Sequence, residues 1–179
     1  MEKPHRKCKC PRKDSTPINV PIIWIIGGPG SGELIRAAIA QNRPEDNTLV
    51  QTVKAGKLVP SEYILKLIKK EILKQLKDAK GFLIDGYPRE RDQGILFEKT
   101  IGPVDLIIFF EASVDTLKTR ILQRAQTSGR LDDNEETLQK RLETYFNLKD
   151  DLIEAFRRKM KIIDANGTPE DIFKESHVH

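Results

Sequence analysis

Hydrophobic positions along the chain follow two alternating patterns. Continuous apolar runs, typical of strands that are covered on both faces, occur at residues 22–26, 82–85, 106–110 and 161–164. Apolar residues three or four positions apart, typical of helices, occur at residues 61–80, 92–99, 113–129, from about 134, and at 169–177. Strands separated by helices imply right-handed crossovers, so the pattern predicts a three-layer α/β fold with a parallel sheet of four strands.

Two of these helices can be predicted in more detail. The first begins with Ser61 as its N-cap, after Pro60, and ends at Lys80, before Gly81. Its apolar stripe consists of Ile64, Leu65, Ile68, Ile72, Leu73 and Leu76. The helix that starts at Ser113 is lined by Leu117, Ile121 and Leu122. Both patterns are typical of amphipathic helices.

Composition indicates one domain that follows a basic arm. The chain has 179 residues, 38% of them hydrophobic, which is enough for one full core. It has 31 Lys and Arg against 27 Asp and Glu, but residues 1–16 hold six basic and two acidic residues, which leaves 25 of each elsewhere. We therefore predict a disordered basic arm at residues 1–20 and a neutral domain at residues 21–179.

The sequence contains neither a secretory signal pattern nor a run of about 18 apolar residues, which predicts a soluble, cytoplasmic protein without membrane contact. Cys8 and Cys10 are one residue apart and cannot cross-link a fold. With His5 they provide three metal ligands, one short of a closed zinc site, so exposed thiols are the favoured interpretation. Because the arm lacks interleaved aromatic residues, nucleic acid is not an expected partner.

The residues after the first strand predict a phosphate-binding loop. Gly27, Gly28, Pro29, Gly30, Ser31 and Gly32 form a sequence that turns successive backbone N–H groups toward an anion. A lysine normally follows and reaches the nucleotide phosphates, but this chain has Glu33. A carboxylate about 4 Å from a phosphate charge is repelled by on the order of 4 kcal/mol at an effective dielectric near 20. The loop is therefore predicted to lack its catalytic residue, and Leu34 and Ile35 also lack the hydroxyl that contacts magnesium.

A second polar group follows the next strand. Asp85 ends that strand, and Arg89 lies four residues further on. In an open parallel sheet, ligands bind at the carboxyl ends of the strands, where the glycine loop also lies. An aspartate at this position can hold magnesium through water, and an arginine can bind a phosphate. An ordinary turn with a solvated arginine is the alternative.

Further arginines strengthen the prediction of a phosphate site. Arg120 and Arg124 share one helical face, Arg130 lies in a turn, and Arg141 lies on the following helix. Converging guanidinium groups suit phosphoryl transfer, which depends on neutralising spread negative charge. Ion pairs with nearby carboxylates such as Asp132 are the alternative.

These motifs resemble the adenylate kinase family, in its short cytosolic form of the isoenzyme 1 type. GGPGSG, GKLVP, GFLIDGYPRE, TSGRLDDNEET, KRLETY and DANG stand in the order and spacing of that family, from about Pro21 to Phe173. The resemblance implies the fold of the P-loop nucleoside monophosphate kinases. It also implies the reversible reaction of ATP and AMP to two ADP with Mg²⁺.

The resemblance also implies roles for single residues. ATP would bind the glycine loop, with Arg120 and the backbone of Gly167 beside its adenine. The transferring phosphates would be held by Arg124, Arg130 and Arg141, with Arg130 carried by a short lid at residues 126–135. AMP would be held by Arg89, Gln93 and the backbone of Gly56, Lys57 and Val59. Asp85 would order the water molecules around magnesium.

The chain departs from the family at one further point. Only 23 residues, 33–55, precede Gly56, whereas the family's helix, edge strand and AMP-binding helix need roughly 35 or more. We expect the edge strand and most of the AMP-binding helix to be lost, which leaves short helices at 33–41 and 47–54. Arg36 is an alternative candidate for the role of the missing lysine, and a splice form could account for the missing segment.

The resulting prediction is an adenylate-kinase-family protein with absent or severely reduced activity. Such a protein would act as a nucleotide-binding or structural pseudokinase, in the second case within a larger assembly. The alternative is an active nucleoside monophosphate kinase that uses the remaining arginines.

Overall fold

A computed structural model of the protein describes residues 18–28, 60–128 and 135–177. Four strands, β1 (Ile22–Gly27), β2 (Phe82–Asp85), β3 (Leu106–Glu111) and β4 (Met160–Asp164), form one sheet in the order β2-β1-β3-β4. All neighbouring strands are parallel. The predicted α/β fold with a parallel sheet is therefore confirmed, with four strands among the described residues. The predictions for the arm, for residues 33–55 and for the turn around Arg130 lie outside the described residues.

Five helices connect or flank these strands within the described ranges. They are α1 (Ser61–Gln75), α2 (Arg91–Thr100), α3 (Val114–Ser128), α4 (Glu135–Phe156) and α5 (Pro169–His177). A short 3₁₀ turn, Arg157–Lys159, joins α4 to β4. Within the part of the chain that the structure describes, no helix is both long enough and apolar enough to cross a membrane.

The bounds of α1 correct two details of the sequence prediction. Pro60 is the N-cap and Ser61 is the first helical residue, whose hydroxyl donates to Glu90 Oε1 at 3.3 Å. The helix ends at Gln75 and not at Lys80; residues 76–78 form a turn, in which the N–H groups of Asp78 and Ala79 share the Gln75 carbonyl at 3.1 Å.

Two leucines of the predicted apolar stripes are not buried. Leu73 of α1 is 44% exposed and Leu122 of α3 is 45% exposed. Each directly follows a buried isoleucine, Ile72 or Ile121, and is therefore rotated by about 100° around the helix. That rotation places both leucines beyond the margin of the buried stripe.

The main core covers one face of the sheet. Ile22, Trp24 and Ile26 of β1 point to this face and pack against α1, α2 and α4. Trp24 is fully buried and makes edge-on contacts with Phe97 at 5.2 Å and with Phe156 at 5.3 Å between ring centroids. A second, smaller cluster includes Leu117, Ile121, Leu138 and Leu142, with Phe110 and Ile172 packed against it.

Two carboxylates, Asp105 in the loop before β3 and Glu98 on α2, fix the amino-terminal end of the sheet. Asp105 Oδ2 accepts a bond from the Ile22 N–H at 2.8 Å, and the Asp105 N–H donates to the Ile22 carbonyl at 2.9 Å. Glu98 Oε1 accepts from the Val104 N–H at 3.1 Å and from Lys159 Nζ at 2.7 Å. These bonds set the strand starts, so that the opposite ends of the strands come together at one edge of the sheet.

Candidate active site

The candidate site lies at the carboxyl ends of the parallel strands. Gly28 follows β1, Asp85 ends β2, Ala112 follows β3 and Ala165 follows β4. They line one cavity of about 640 Å³. This volume lies within the range of small-molecule sites in proteins, and the position is the one where parallel sheets bind ligands.

The glycine loop is described at its first two residues. A β-carbon at Gly28 would lie 2.3 Å from Cδ2 of Leu117, and one at Gly27 would lie 3.2 Å from the Phe110 carbonyl. The chain can turn so close to β3 and α3 only because these positions have no side chain. The other loop residues predicted to bind ATP, Pro29 to Gly32, and Glu33 lie outside the described residues.

The turn after β2 is held by four hydrogen bonds. Gly86 has a φ of 69°, a conformation that favours glycine, and its N–H donates to the Ile25 carbonyl at 2.9 Å. The Tyr87 hydroxyl donates to the Gln93 carbonyl at 2.9 Å, and the Arg89 N–H donates to Gln93 Oε1 at 3.0 Å. The Arg89 Nε donates to the Gly86 carbonyl at 3.4 Å. The turn and the start of α2 therefore form one unit.

Gln93 is fully buried within this unit. Its Nε2 has no hydrogen-bond partner within the described part of the chain. An amide group with a free donor could bind a ring nitrogen of a base, as the resemblance implies. In this structure, however, that donor has no solvent contact, so a base could reach it only if α2 or the turn moved.

Two opposing effects act on the carboxyl group of Asp85. Burial raises the pKa of Asp85 above its ordinary value of 3.8, and the positive charge of Arg89 lowers it by a smaller amount. The ionised carboxylate is therefore not fully compensated by its surroundings. A cation beside Asp85 would favour the ionised form.

The loop after β4 forms a second hydrogen-bonded unit with the start of α3. Asn166 Oδ1 accepts from the Ser113 N–H at 2.9 Å and from the Thr116 hydroxyl at 3.0 Å. The Asn166 side-chain amide donates to Asp164 Oδ1 at 2.7 Å. Next to it, Arg120 Nη2 donates to the Gly167 carbonyl at 2.7 Å. The structure thus brings together Arg120 and Gly167, the two residues to which the resemblance gave a role beside the ATP adenine.

The sequence identified the segment DANG as a family motif but did not show that Asn166 holds this loop to the start of α3. The signal was available in principle, because an Asp-x-Asn-Gly sequence after a strand is typical of a side-chain-stabilised turn. It likewise missed Leu117 as the residue that packs against Gly28. A leucine on an apolar helical stripe has no feature that distinguishes this contact from ordinary core packing.

The remaining arginines are placed in part. Arg141 lies on α4, 6% exposed, and Arg124 lies on α3, partly buried. Both take part in interactions with other groups. Arg130 and the predicted AMP contacts Gly56, Lys57 and Val59 lie outside the described residues.

No group of three or more His, Cys, Asp or Glu residues that could hold a metal ion occurs in the described ranges. The candidate site instead offers Asp85 as a carboxylate on the cavity. Magnesium in nucleotide enzymes is often bound by one or two carboxylates, water and substrate phosphates. The residues present therefore fit a magnesium ion that arrives with a nucleotide.

Comparison with known proteins identifies the family. The family model described as "Adenylate kinase" matches residues 26–161. The chain is 35% identical over 180 residues to adenylate kinase isoenzyme 1 of Sus scrofa, covering 88% of this chain and 93% of the relative. It is 40% identical over 177 residues to adenylate kinase isoenzyme 1 of Caenorhabditis elegans (86% and 84%), and 39% over 174 residues to adenylate kinase 1 of Schistosoma mansoni (85% and 88%).

The chain belongs to the adenylate kinase family, whose members bind ATP and AMP and transfer a phosphoryl group between them. The predicted resemblance to the isoenzyme 1 type is thereby confirmed. The alignment with the Sus scrofa protein spans 180 positions, but it includes only about 158 residues of this chain, which is 88% of 179. About 22 positions of that relative therefore have no counterpart in this chain.

Proposed function

We propose that this protein is a degenerate adenylate kinase that binds adenine nucleotides weakly and has absent or severely reduced phosphotransferase activity. The observation that carries the proposal is Glu33, which stands where the family has the lysine that reaches the ATP phosphates. The glycine loop that leads to Glu33 starts on the same cavity as Asp85. Glu33 follows Gly28 by five residues, and a carboxylate in the place of the family's lysine would add negative charge where the ATP phosphates must be accommodated.

The ATP side of the site supports residual binding. Arg120 lines the cavity and donates to the Gly167 carbonyl, and this pair would provide a surface for a base. Asp85 would hold a magnesium ion through water, and that ion would supply charge neutralisation for the phosphates. Arg124 and Arg141 would contact the transferring phosphates, and Arg130 would do so from the predicted lid.

The AMP side supports a loss of turnover. Gln93 is buried, and the turn that carries Arg89 is hydrogen-bonded to it. About 22 positions of the relatives have no counterpart, which supports the predicted loss of the edge strand and of the AMP-binding helix. Correct placement of a second substrate can contribute roughly 7 to 11 kcal/mol to lowering a barrier, so an incomplete AMP site is sufficient to abolish useful turnover.

The test compares ATP binding with activity in matched variants. By titration calorimetry, we expect Glu33→Lys to bind ATP at least about tenfold more tightly than the unaltered protein, which corresponds to about 1.4 kcal/mol. Glu62→Lys on α1 makes the same charge change at a residue that is not part of the cavity lining. It controls for the change in net charge. Equal affinity of Glu33→Lys and the unaltered protein would refute the role of Glu33.

Activity is measured with a coupled assay of ADP formation. We expect the triple variant Glu33→Lys, Leu34→Gly, Ile35→Thr to gain ATP binding and still to turn over AMP very slowly. Robust turnover by the unaltered protein, lost in Arg89→Ala, would instead establish an active nucleoside monophosphate kinase. A cytoplasmic location and a role within a larger assembly remain predictions from sequence.

A further inference from the structure

Basic residues gather at the amino-terminal end of the sheet. Because the four strands are parallel, the segments that lead into them lie at one end. Residues 77–81 and 99–105 lead into β2 and β3, and residues 157–161 lead into and begin β4. Together these segments contain seven basic and two acidic residues, although they are far apart in the sequence. We call them the basic end of the domain.

The opposite end of the sheet, where the candidate site lies, has the reverse balance. Residues 86–90, 112–116 and 165–171 follow β2, β3 and β4. They contain one basic and four acidic residues. The described part of the chain is therefore polarised along the strand direction, with its positive end away from the site.

Most of the positive charge at the basic end is accessible. Glu98 of α2 is paired with Lys159 at 2.7 Å, and with this carboxylate included the end has seven basic against three acidic residues, a net charge of +4. Five of the basic residues are exposed: Lys77, Lys80, Lys99, Arg157 and Arg158.

The basic arm joins the fold at this same end. Pro21, directly before β1, accepts the Phe82 N–H at 2.8 Å, and a β-carbon at Gly81 would lie 3.2 Å from the same carbonyl. The arm therefore enters the domain beside the segment that carries Lys80. Residues 1–20 contain six basic and two acidic residues, which adds a further net charge of +4 to this end.

The connection at residues 29–59 is attached to the fold at the other end. Gly28, from which it departs, lines the cavity of the candidate site. Ser61, which follows it, donates to Glu90 in the turn after β2. Both attachment points thus lie on the side of the candidate site and away from the basic end.

We propose that the basic end, together with the arm, binds the anionic surface of a lipid membrane, with the candidate site directed away from the membrane. Clusters of about four to eight Lys and Arg residues are attracted to anionic headgroups, and each such residue near the surface strengthens binding about fivefold. The sequence predicted no membrane contact because it has neither a signal nor a spanning segment, but electrostatic binding to a surface requires neither.

The composition and shape of this end favour a membrane over a nucleic acid. Neither the arm nor the three segments contain Phe, Tyr or Trp, on which the bases of a single strand would stack. The basic residues lie in turns and at the ends of elements, and not along one helix or strand pair that could enter a major groove. Leu106, which begins β3 at this end, is 37% exposed and suits the boundary between headgroups and acyl chains.

Co-sedimentation of the full chain with lipid vesicles tests the proposal. At about 0.1 M salt, we expect binding to phosphatidylcholine vesicles that contain about 30% phosphatidylserine to be at least tenfold tighter than binding to phosphatidylcholine alone. Binding should weaken steeply toward about 0.5 M salt, because the screening length shortens. No binding to the anionic vesicles, or equal binding to both kinds, overturns the proposal.

Two matched triple variants test the location of the surface. Both remove three positive charges from exposed residues, so their net charge is the same. We expect the first to bind anionic vesicles about tenfold to hundredfold more weakly than the unaltered protein, and the second to stay within about threefold. Equal weakening by both variants overturns the proposal. The first variant is Lys80→Gln, Arg157→Gln, Arg158→Gln, and the control is Lys66→Gln, Lys70→Gln, Lys118→Gln.

A fluorophore that responds to polarity tests the orientation. In a background with Cys8→Ser and Cys10→Ser, the label is placed on Arg158→Cys or on Lys118→Cys. We expect its emission to change on addition of anionic vesicles at position 158 and not at position 118. A change at position 118 alone contradicts the proposed orientation.

Fluorescence anisotropy with a DNA duplex and an RNA strand of about 20 nucleotides tests the other class of polyanion. Binding of either that is tighter than vesicle binding at the same salt concentration identifies a nucleic-acid surface and overturns the proposal. Weaker binding supports it. None of these readouts depends on nucleotide binding or on turnover, so this proposal and the proposed function can fail separately.

Discussion

Gly94→Ala provides the sharpest test of the packing around the candidate AMP side. Gly94 lies inside α2, where replacing glycine with alanine normally stabilises a helix by about 0.8 to 1.0 kcal/mol. In this structure, a β-carbon at Gly94 would lie 2.7 Å from two ring atoms of Phe156 and 3.3 Å from Cγ of Pro88. Non-bonded carbons prefer about 3.5 to 4.0 Å, so the ring must retreat by roughly 1 Å.

Phe156 has little room for such a movement. Its ring is 6% exposed and contacts the edge of Trp24. Extra volume in a well-packed core costs about 1 to 3 kcal/mol, and the closeness of the contact favours the upper part of that range. After subtraction of the helix-propensity gain, we expect a net loss of about 2 kcal/mol in the free energy of unfolding. The melting temperature should fall by about 4 to 8 °C.

Urea unfolding followed by tryptophan fluorescence measures this change directly, because Trp24 is the only tryptophan in the chain and is fully buried. Gly167→Ala is the control, since its β-carbon would lie 3.5 Å from Asp171 Cβ, an ordinary contact, and we expect its stability to change by less than about 0.5 kcal/mol. Adding Phe156→Leu to Gly94→Ala should cost less than the two single changes combined. An increase in stability on Gly94→Ala refutes the reasoning.

Three further predictions concern polar groups. Burial raises the pKa of Asp85, so this carboxyl group binds its proton more tightly in the folded than in the unfolded state. Its contribution to stability therefore falls as the pH rises above 3.8. In urea unfolding, Asp85→Asn should be more stable than the unaltered protein at pH 7 and not at a pH below 3.8. Asn166→Ala removes the side-chain oxygen that accepts bonds from Ser113 and Thr116. It should lower the free energy of unfolding in urea by about 1 kcal/mol and weaken ATP binding in calorimetry. Unchanged ATP affinity would contradict a role of Asn166 in positioning the site. Tyr145→Phe removes a buried hydroxyl without a hydrogen-bond partner in the described ranges, so thermal unfolding should show a gain of up to about 1 kcal/mol, and a loss would indicate a partner.

The strands could be predicted from sequence because each is a short apolar run next to residues that break strands. The predicted run at 82–85 agrees with β2, and those at 22–26 and 106–110 differ from β1 and β3 by one residue. Helix ends were less accurate. The sequence from Leu76 to Lys80 does not show that the N–H groups of Asp78 and Ala79 bond the Gln75 carbonyl. The end of the helix depends on where the chain must turn to enter β2.

From the sequence, the candidate site could be predicted only as the place where the carboxyl ends of the strands meet. The sequence placed Gly28 and Asp85 at one edge, and the resemblance added Arg120; the structure has all three on the same cavity. It could not show that Gln93 is buried, because burial depends on how α2 packs on the sheet. A residue that resembles a ligand contact by its position in a motif can therefore be inaccessible in the folded chain.

The position of β1 in the sheet has a consequence for synthesis of the protein. β1 lies between β2 and β3, yet it precedes both in sequence, and Ile22 pairs with Phe82, 60 residues later. At about 5 to 20 residues per second, roughly 3 to 12 s pass between synthesis of the segment Ile-Ile-Trp-Ile-Ile and synthesis of β2, the earlier of its two partner strands among the described residues. A short, uncharged segment rich in β-branched residues is prone to aggregate while it is exposed. We therefore expect the nascent chain to depend on a chaperone that covers β1 until β2 and β3 have been translated.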